Sequence, residues 1–193
     1  MIYFPERNIA IITPPHTASG NLHKTLCSAD YGGQWVVGPC LYTGNINHHY
    51  CKIPTGWKHE GCKIVVVVRD PYDRLIGLYK HYEWWLKKNE IENIKTFSQY
   101  VLKRPDSWID NKTITDFLSD YGVKKYATIK YESIEDDLNQ LISTKVDLLP
   151  RYHEPNVISE WYCQDEVINE VNSGWANKDC ENFGYKVLEC SSV

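Results

Sequence analysis

Apolar residues along this chain form short unbroken runs, separated by stretches with helical spacing. The runs at 9–12 and at 63–68, the latter reading KIVVVV, predict strands that are buried on both faces. The segments 35–37 and 126–131 predict two more strands. Strands that are apolar throughout are typical of a parallel sheet whose faces are covered by helices.

Apolar residues three or four positions apart predict helices between these strands. Leu22 and Leu26 mark a helix that follows the first strand and stops near 32–33. The segments 38–60 and 145–163 are predicted to be loops. The other predicted helices are one that follows Asp70 and carries Leu75, Leu78, Tyr79, Tyr82 and Leu86, helices at 94–103 and 113–120, one that carries Ile134, Leu138, Leu141 and Ile142, and one at 164–179.

The alternation of strands with helices predicts an α/β fold with a mainly parallel sheet. A length of 193 residues fits one domain, so a single domain is expected over 1–193. The net charge of −4 argues against a general nucleic-acid-binding protein, because a polyanion would then need a local basic patch.

Cysteine usage and hydropathy predict a cytoplasmic protein. The seven cysteines are an odd number without CxxC pairs, so reduced thiols are expected. No apolar stretch approaches the roughly 20 residues that span a bilayer, and the start MIYFPERN lacks the layout of a signal peptide. No membrane partner is expected, and no metal site either, because the histidines lack a carboxylate or cysteine at ligand spacing. No feature of the sequence indicates an oligomeric state.

The segment after the first strand has the layout of an anion-binding turn. Residues 13–21 read TPPHTASGN, and the small residues at 18–20 let an anion approach the backbone where a helix begins. The side chains of Thr17, Ser19 and Asn21 add hydrogen-bond donors. The turn does not match the GxxxxGK[ST] nucleotide loop, and an ordinary strand–turn–helix with Ser19 as N-cap is the alternative interpretation.

A second candidate anion site follows the strand at 63–68, where the chain reads RDPYDRL. Asp70 is predicted to cap the next helix and Pro71 to occupy its first position. Arg69 offers a fixed fork of donors for a phosphate. Ligands of parallel sheets bind beyond the carboxyl ends of the strands, where both segments are expected to lie. A capped helix with arginine–aspartate pairing is the alternative interpretation.

Taken together and in this order, the two segments resemble the sulfotransferases that use 3′-phosphoadenosine 5′-phosphosulfate (PAPS). PHTASGNL, 15–22, is similar to their 5′-phosphosulfate turn P-K-T-G/A-S/T-T-S-L, and most similar to the heparan 2-O type of carbohydrate sulfotransferase. RDPYDRLIGLY, 69–79, is similar to their R-D-P-x-x-R-L-x-S-x-Y motif, whose first Arg and Ser bind the 3′-phosphate. The resemblance continues in IKYESIEDDL at 129–138, LPRYHEPN at 149–156 and DCENFGY at 179–185.

The resemblance implies a three-layer fold like that of P-loop nucleotide kinases, in which helices flank a central, mainly parallel sheet. It also implies transfer of a sulfuryl group from PAPS to a hydroxyl or amine of an acceptor, a carbohydrate or small metabolite, with no metal. Tyr131 is expected to line the nucleotide edge, and Arg151 to reach the 3′-phosphate unless it is a solvated loop residue. The donor-binding residues so predicted are Pro15, His16, Thr17, Ala18, Ser19, Gly20, Asn21, Arg69, Gly77, Tyr131 and Arg151.

A general base must take the acceptor's proton, and histidines before the second motif are the candidates. Family members carry a catalytic histidine in a similar place, which points to His48 or His49. His48 is favoured because its spacing to Arg69 is similar to theirs, although loop histidines are more often solvated. His59 and Glu83 are fallback candidates.

Three positions depart from the family pattern. His16 stands where the family has Lys, and only a protonated imidazole, with a pKa of about 6.5 when unperturbed, supplies both a hydrogen bond and a charge. Gly20 replaces a hydroxyl residue and Gly77 replaces the phosphate-binding Ser. Each lost bond to a charged group costs about 1.5–3 kcal/mol. A catalytically impaired binding module of the same fold is therefore an alternative, and a P-loop-type nucleotide kinase, against which the absent GK[ST] argues, is another.

Overall fold

A computed structural model describes six segments of the chain, and their backbone forms two compact units. The first unit comprises Met1–Arg69 and Phe117–Tyr152, and the second comprises Asp70–Asp116 and His153–Val193. The single domain expected over 1–193 stays a prediction. The described residues are 1–36, 61–88, 96–103, 112–120, 122–148 and 157–190.

The first unit is built on a five-stranded sheet with the strand order β3-β1-β2-β4-β5. The strands are β1 (Ile2–Phe4), β2 (Ile9–Ile12), β3 (Gln34–Trp35), β4 (Lys63–Val68) and β5 (Ala127–Lys130). The pairs β2–β4 and β4–β5 are parallel, whereas β1 runs antiparallel to both β2 and β3. The α/β class is confirmed, but the prediction of a mainly parallel sheet is wrong, because the sheet is mixed.

The strand that makes the sheet mixed is β1, which the hydrophobic pattern did not reveal. Its three apolar residues are too few to show a strand period before Pro5 interrupts them. Pro5–Arg7 form a 3₁₀ turn, and Asn8 adopts a left-handed backbone with φ 49°, which Asn tolerates better than most residues. The chain thereby reverses into β2, and Ile2 pairs with Ile11.

The predicted helices are present, with shifted ends. The first stops at Leu26 and not near 32–33, and the last continues through a π-helical turn at Asn172–Ala176 to Phe183. A short helix at Ile158–Trp161 also lies within the predicted loop 145–163. The helices are α1 (Ser19–Leu26), α2 (Pro71–Lys88), α3 (Phe97–Lys103), α4 (Ile114–Asp120), α5 (Ile134–Ile142), α6 (Ile158–Trp161), α7 (Asp165–Val171) and α8 (Asn177–Phe183).

The core of the first unit joins the sheet to α1 and α5. Leu22 and Leu26 of α1 and Leu138 of α5 are fully buried, in one cluster with Ile11 and Val67 of the sheet. Burying such side chains contributes about 1.5–3 kcal/mol each. This packing fixes the start of α1 next to the carboxyl end of β2, from which the turn at 13–21 emerges.

The start of α2 in the second unit follows the predicted capping pattern. The N–H groups of Tyr72 and Asp73 donate to Asp70 Oδ1 at 2.8 and 3.2 Å, and Pro71 occupies the first helical position. Asp70 is therefore the N-cap, as the sequence predicts. Leu75 and other apolar side chains of α2 pack in one cluster with residues of α3 and α7.

Tyr72 also ties α2 to the segment that follows α8. Its hydroxyl donates to Asn172 Oδ1 and accepts the Leu188 N–H at 3.0 Å, while Asn172 Nδ2 donates to the Leu188 carbonyl at 2.9 Å. Burial raises the pKa of Tyr72 to about 12, against the opposing effect of the Leu188 N–H. The hydroxyl therefore stays protonated at neutral pH and can serve as donor and acceptor at once.

Two general properties of the described residues complete the fold. Within the described segments, no helix has the length and apolar character that crossing a membrane requires. The cysteines at 27, 62, 163, 180 and 190 are free thiols. Burial raises the pKa of the Cys180 thiol to about 11, so this thiol is protonated at neutral pH.

Candidate functional site

The segment between β2 and α1 folds into a tight turn with an unusual backbone. The N–H and the hydroxyl of Thr17 both donate to the Pro14 carbonyl, at 3.3 and 2.7 Å. His16 and Ala18 adopt left-handed conformations, with φ of 60° and 66°. Such conformations cost about 1–3 kcal/mol in non-glycine residues and cluster where a protein binds ligands. The backbone geometry thus supports the turn as a candidate site.

The turn alternates between buried and partly exposed positions. Pro15, Thr17 and Ser19 are buried. Ala18 occupies the N-cap position of α1 without a side-chain hydrogen bond, and Ser19 is the first residue of the helix, so the assignment of Ser19 as N-cap is wrong. A Cβ built on Gly20 would meet no described residue beyond the local helix within 4 Å, so the described part of the chain leaves room for a side chain at this position. The partly exposed residues are His16, Ala18, Gly20 and Asn21.

Arg69 connects the second motif to this turn. It follows β4 directly, and its side chain is buried. Arg69 Nη1 donates to the His16 carbonyl at 3.0 Å. Because β2 and β4 are parallel neighbours, with Ile12 opposite Val66, their carboxyl ends lie side by side. Arg69 and the turn that the sequence identified as a candidate anion site are therefore in contact within the first unit.

Tyr131 also contacts the Arg69 side chain. Arg69 Cζ is 4.4 Å from the centre of the Tyr131 ring. The strand register explains this contact. Val68, the last residue of β4, pairs with Lys130, the last residue of β5, so the residues that follow them, Arg69 and Tyr131, are neighbours. Both residues are only 5% exposed. A cation–π contact of this kind restricts the orientation of the guanidinium.

His23, which sequence analysis does not identify as a candidate, contacts the first residue of the turn. Its Nε2 lies 3.2 Å from Thr13 Oγ1, and its ring meets Trp35 edge-on at 5.4 Å between centres. Thr13 begins the turn and His23 lies in α1, so this contact joins the two ends of the segment. The sequence gives one indication of this role: His23 is adjacent to Leu22, an apolar residue of the predicted helix face.

The second arginine of RDPYDRL supports the fold of the second unit. Arg74 is fully buried, and its two terminal nitrogens donate to the Lys112 carbonyl at 3.1 and 3.2 Å. Its Nη1 lies 4.0 Å from Asp179, whose carboxylate accepts the N–H groups of Ile114 and Thr115 at 2.7 and 3.0 Å. The interpretation of arginine–aspartate pairing therefore applies to Arg74, while Arg69 belongs to the candidate site.

The remaining predicted residues lie in the second unit or outside the described residues. Gly77 is buried within α2, in the second unit. His48, His49, His59 and Arg151 lie outside the described residues, and Glu83 is partly exposed on α2. Among the described residues, no three His, Cys, Asp or Glu side chains are grouped so that they could hold a metal ion.

Comparisons of the chain with protein-family models, with curated proteins and with solved structures gave no match. The family resemblance of the motifs therefore stays a prediction. Any function must be argued from the chemistry of the turn at 13–21, Arg69 and Tyr131.

Proposed function

We propose that the protein is a sulfotransferase that transfers a sulfuryl group from PAPS to a hydroxyl or amine of an acceptor, a carbohydrate or small metabolite. The observation that carries this proposal is the hydrogen bond from Arg69 to the His16 carbonyl. It joins the segment that resembles a 5′-phosphosulfate turn to the segment that resembles a 3′-phosphate motif. A nucleotide with charges at both positions would meet both segments.

The turn would hold the 5′-phosphosulfate. The first N–H groups of an α-helix have no partner within the helix, and the helix dipole attracts negative charge. Partly exposed His16 and Asn21 would add side-chain donors. A doubly anionic ligand favours the protonated imidazole of His16, which would then stabilise charge on the leaving phosphate as the family's lysine does.

Arg69 would hold the 3′-phosphate. A guanidinium carries five N–H donors in a planar fork, and the bond to His16 engages one of its nitrogens. Its burial lowers the local dielectric, which strengthens a bond to a phosphate. The donor nucleotide would thus be held at two points, and its reactive end would be oriented by both.

In the proposed reaction, an acceptor oxygen attacks the sulfur atom opposite the bridging oxygen of the phosphosulfate. A sulfur–oxygen bond to the acceptor forms, the bond to the 5′-phosphate breaks, and 3′-phosphoadenosine 5′-phosphate (PAP) leaves with the electron pair. The acceptor's proton passes to a base, for which His48 or His49 is proposed. As in phosphoryl transfer, the protein mainly positions the groups and stabilises charge.

A second candidate, a binding module that holds the nucleotide without transfer, is favoured by one observation. Gly20 has no side chain where the family places a hydroxyl, so the turn lacks one donor to the phosphosulfate. The nucleotide-kinase alternative lacks such support, and it predicts dependence on ATP and Mg²⁺.

A thermal-shift titration with PAP, using AMP and ATP with Mg²⁺ as controls, tests the donor site. A ligand at about 100 times its dissociation constant adds about 2.7 kcal/mol to the unfolding free energy. We expect a shift with PAP that Arg69→Ala abolishes and that Arg7→Ala, at an exposed arginine of the first unit, preserves. A shift with ATP alone would favour the kinase, and no shift with any nucleotide would overturn the proposal.

A further inference from the structure

The Arg69 guanidinium is held at two points, by the His16 carbonyl at 3.0 Å and by the Tyr131 ring at 4.4 Å. We infer that Tyr131 is a positioning residue: its ring fixes the plane of the guanidinium and thereby sets the preference of the site for nucleotides with a 3′-phosphate. This inference rests on the proposed function and assigns a role to a residue that the motifs only place near the nucleotide.

The contact with Arg69 favours this indirect role over direct contact with the nucleotide. The centre of the Tyr131 ring lies 4.4 Å from Cζ of the guanidinium that is proposed to bind the phosphate. Because the ring lies next to Cζ, it restricts the directions from which a phosphate would reach the guanidinium nitrogens, which form bidentate bonds in their plane. The ring therefore influences the ligand through the direction in which Arg69 presents its donors.

Preorganisation explains why the contact would matter for affinity. An arginine side chain has many rotamers, and a site that already holds the productive one loses less entropy when a phosphate binds. A desolvated cation–π contact accounts for about a 5- to 30-fold effect on an equilibrium constant. The effect is expected only for ligands that engage Arg69, because the 5′ side of the site lies in the turn at 13–21.

The test compares the affinities of PAP and AMP, which differ by the 3′-phosphate alone. Calorimetric titrations of the whole chain give the ratio of the AMP to the PAP dissociation constant for each variant. Tyr131→Leu removes the ring, whereas Tyr131→Phe keeps it and is the matched control. Tyr131→Met, which keeps an apolar side chain of similar length, replaces the leucine variant if the latter does not fold.

We expect Tyr131→Leu to lower the ratio about 5- to 30-fold and Tyr131→Phe to preserve it within about twofold. The AMP dissociation constant should change little in either variant. In the Arg69→Ala background, adding Tyr131→Leu should lower the ratio no further, because the ring acts through Arg69.

The remaining outcomes separate this inference from the proposed function. A wild-type protein that prefers PAP, together with a leucine variant that keeps the ratio, would overturn the role of Tyr131 and leave the proposed function standing. Equal weakening of AMP and PAP would also overturn it, since that pattern indicates general damage or direct contact with the nucleoside. A wild-type protein without any preference for PAP would overturn the proposed function and the inference with it.

Discussion

Gly20 occupies the second position of α1, where the family resemblance expects a hydroxyl side chain. Within the segments that the structure describes, a Cβ there meets nothing beyond the local helix within 4 Å, and the backbone is not in the left-handed region. We expect Gly20→Ser to tighten PAP binding at least about tenfold, because a hydrogen bond to a charged group contributes about 1.5–3 kcal/mol. Calorimetric titration with PAP measures this change.

Gly20→Ala is the control, because it also replaces glycine in the first turn of α1 but brings no hydroxyl. Either substitution raises the unfolding free energy of the ligand-free protein by up to about 1 kcal/mol, since glycine is a poor helix former. Only the serine variant should gain affinity. Equal dissociation constants for the two variants would mean that the 5′-phosphate of PAP does not lie beside position 20.

The pair formed by Arg74 and Asp179 links three helical segments of the second unit. We expect Asp179→Ala to lower the unfolding free energy by about 3–5 kcal/mol, because it leaves the Arg74 charge buried without its carboxylate. The change also removes the acceptor of the Ile114 and Thr115 N–H groups at the start of α4. Urea unfolding, with the midpoint and the slope both fitted, measures the loss.

The neighbouring residue Lys178 supplies the matched control. Its pair with Asp116 is exposed, and such pairs contribute about 0–1 kcal/mol, so Lys178→Ala should shift the urea midpoint little. Similar losses of unfolding free energy in the two variants would show that the Asp179 carboxylate stabilises the second unit no more than an exposed ion pair does.

The elements that sequence analysis predicts well are those whose signal is local. The apolar run at 63–68 forms β4, and Asp70 with Pro71 begins α2, because capping depends on adjacent residues. By contrast, β1 has only three residues, and its pairing with β2 depends on the turn at Asn8. The pattern of hydrophobic residues alone therefore gives the α/β class but not the mixed sheet.

The candidate site was predictable where it follows from strand order. Two segments after parallel strands were expected at one sheet edge, and Arg69 indeed contacts the turn through His16. The stacking of Tyr131 on Arg69 depends on the register of β4 and β5, which their sequences do not specify. The pairing of Arg74 with Asp179 spans much of the chain, and no local spacing reveals it.

At the scale of the molecule, the second motif crosses the division between the two compact units. Arg69 ends the first segment of one unit, and Asp70 begins the other. The described part of the first unit carries the residues proposed to hold PAPS at both charged ends. The proposed acceptor base is carried by the segment 38–60, so donor binding and proton removal are assigned to different parts of the chain.

This separation predicts that donor binding and turnover can be uncoupled by single substitutions. We expect His48→Asn to lower the rate of sulfuryl transfer about 10²- to 10⁴-fold, the usual contribution of a general base, while PAP affinity stays within about twofold. His49→Asn, made separately, tests the other candidate. His81→Asn, at an exposed histidine of α2, should change neither quantity.

The two measurements together decide which part of the proposal fails. Transfer from radiolabelled PAPS is followed across a panel of hydroxylated carbohydrates and amines, and PAP affinity is followed by calorimetry on the same variants. Full activity of both the His48 and His49 variants would show that neither is the base. The wild-type protein could also bind PAP with the expected preference and transfer no label to any acceptor. In that case the departures at His16, Gly20 and Gly77 have left a nucleotide-binding module. A site that lacks donors for the charge developing in the transition state can still bind the nucleotide in its ground state.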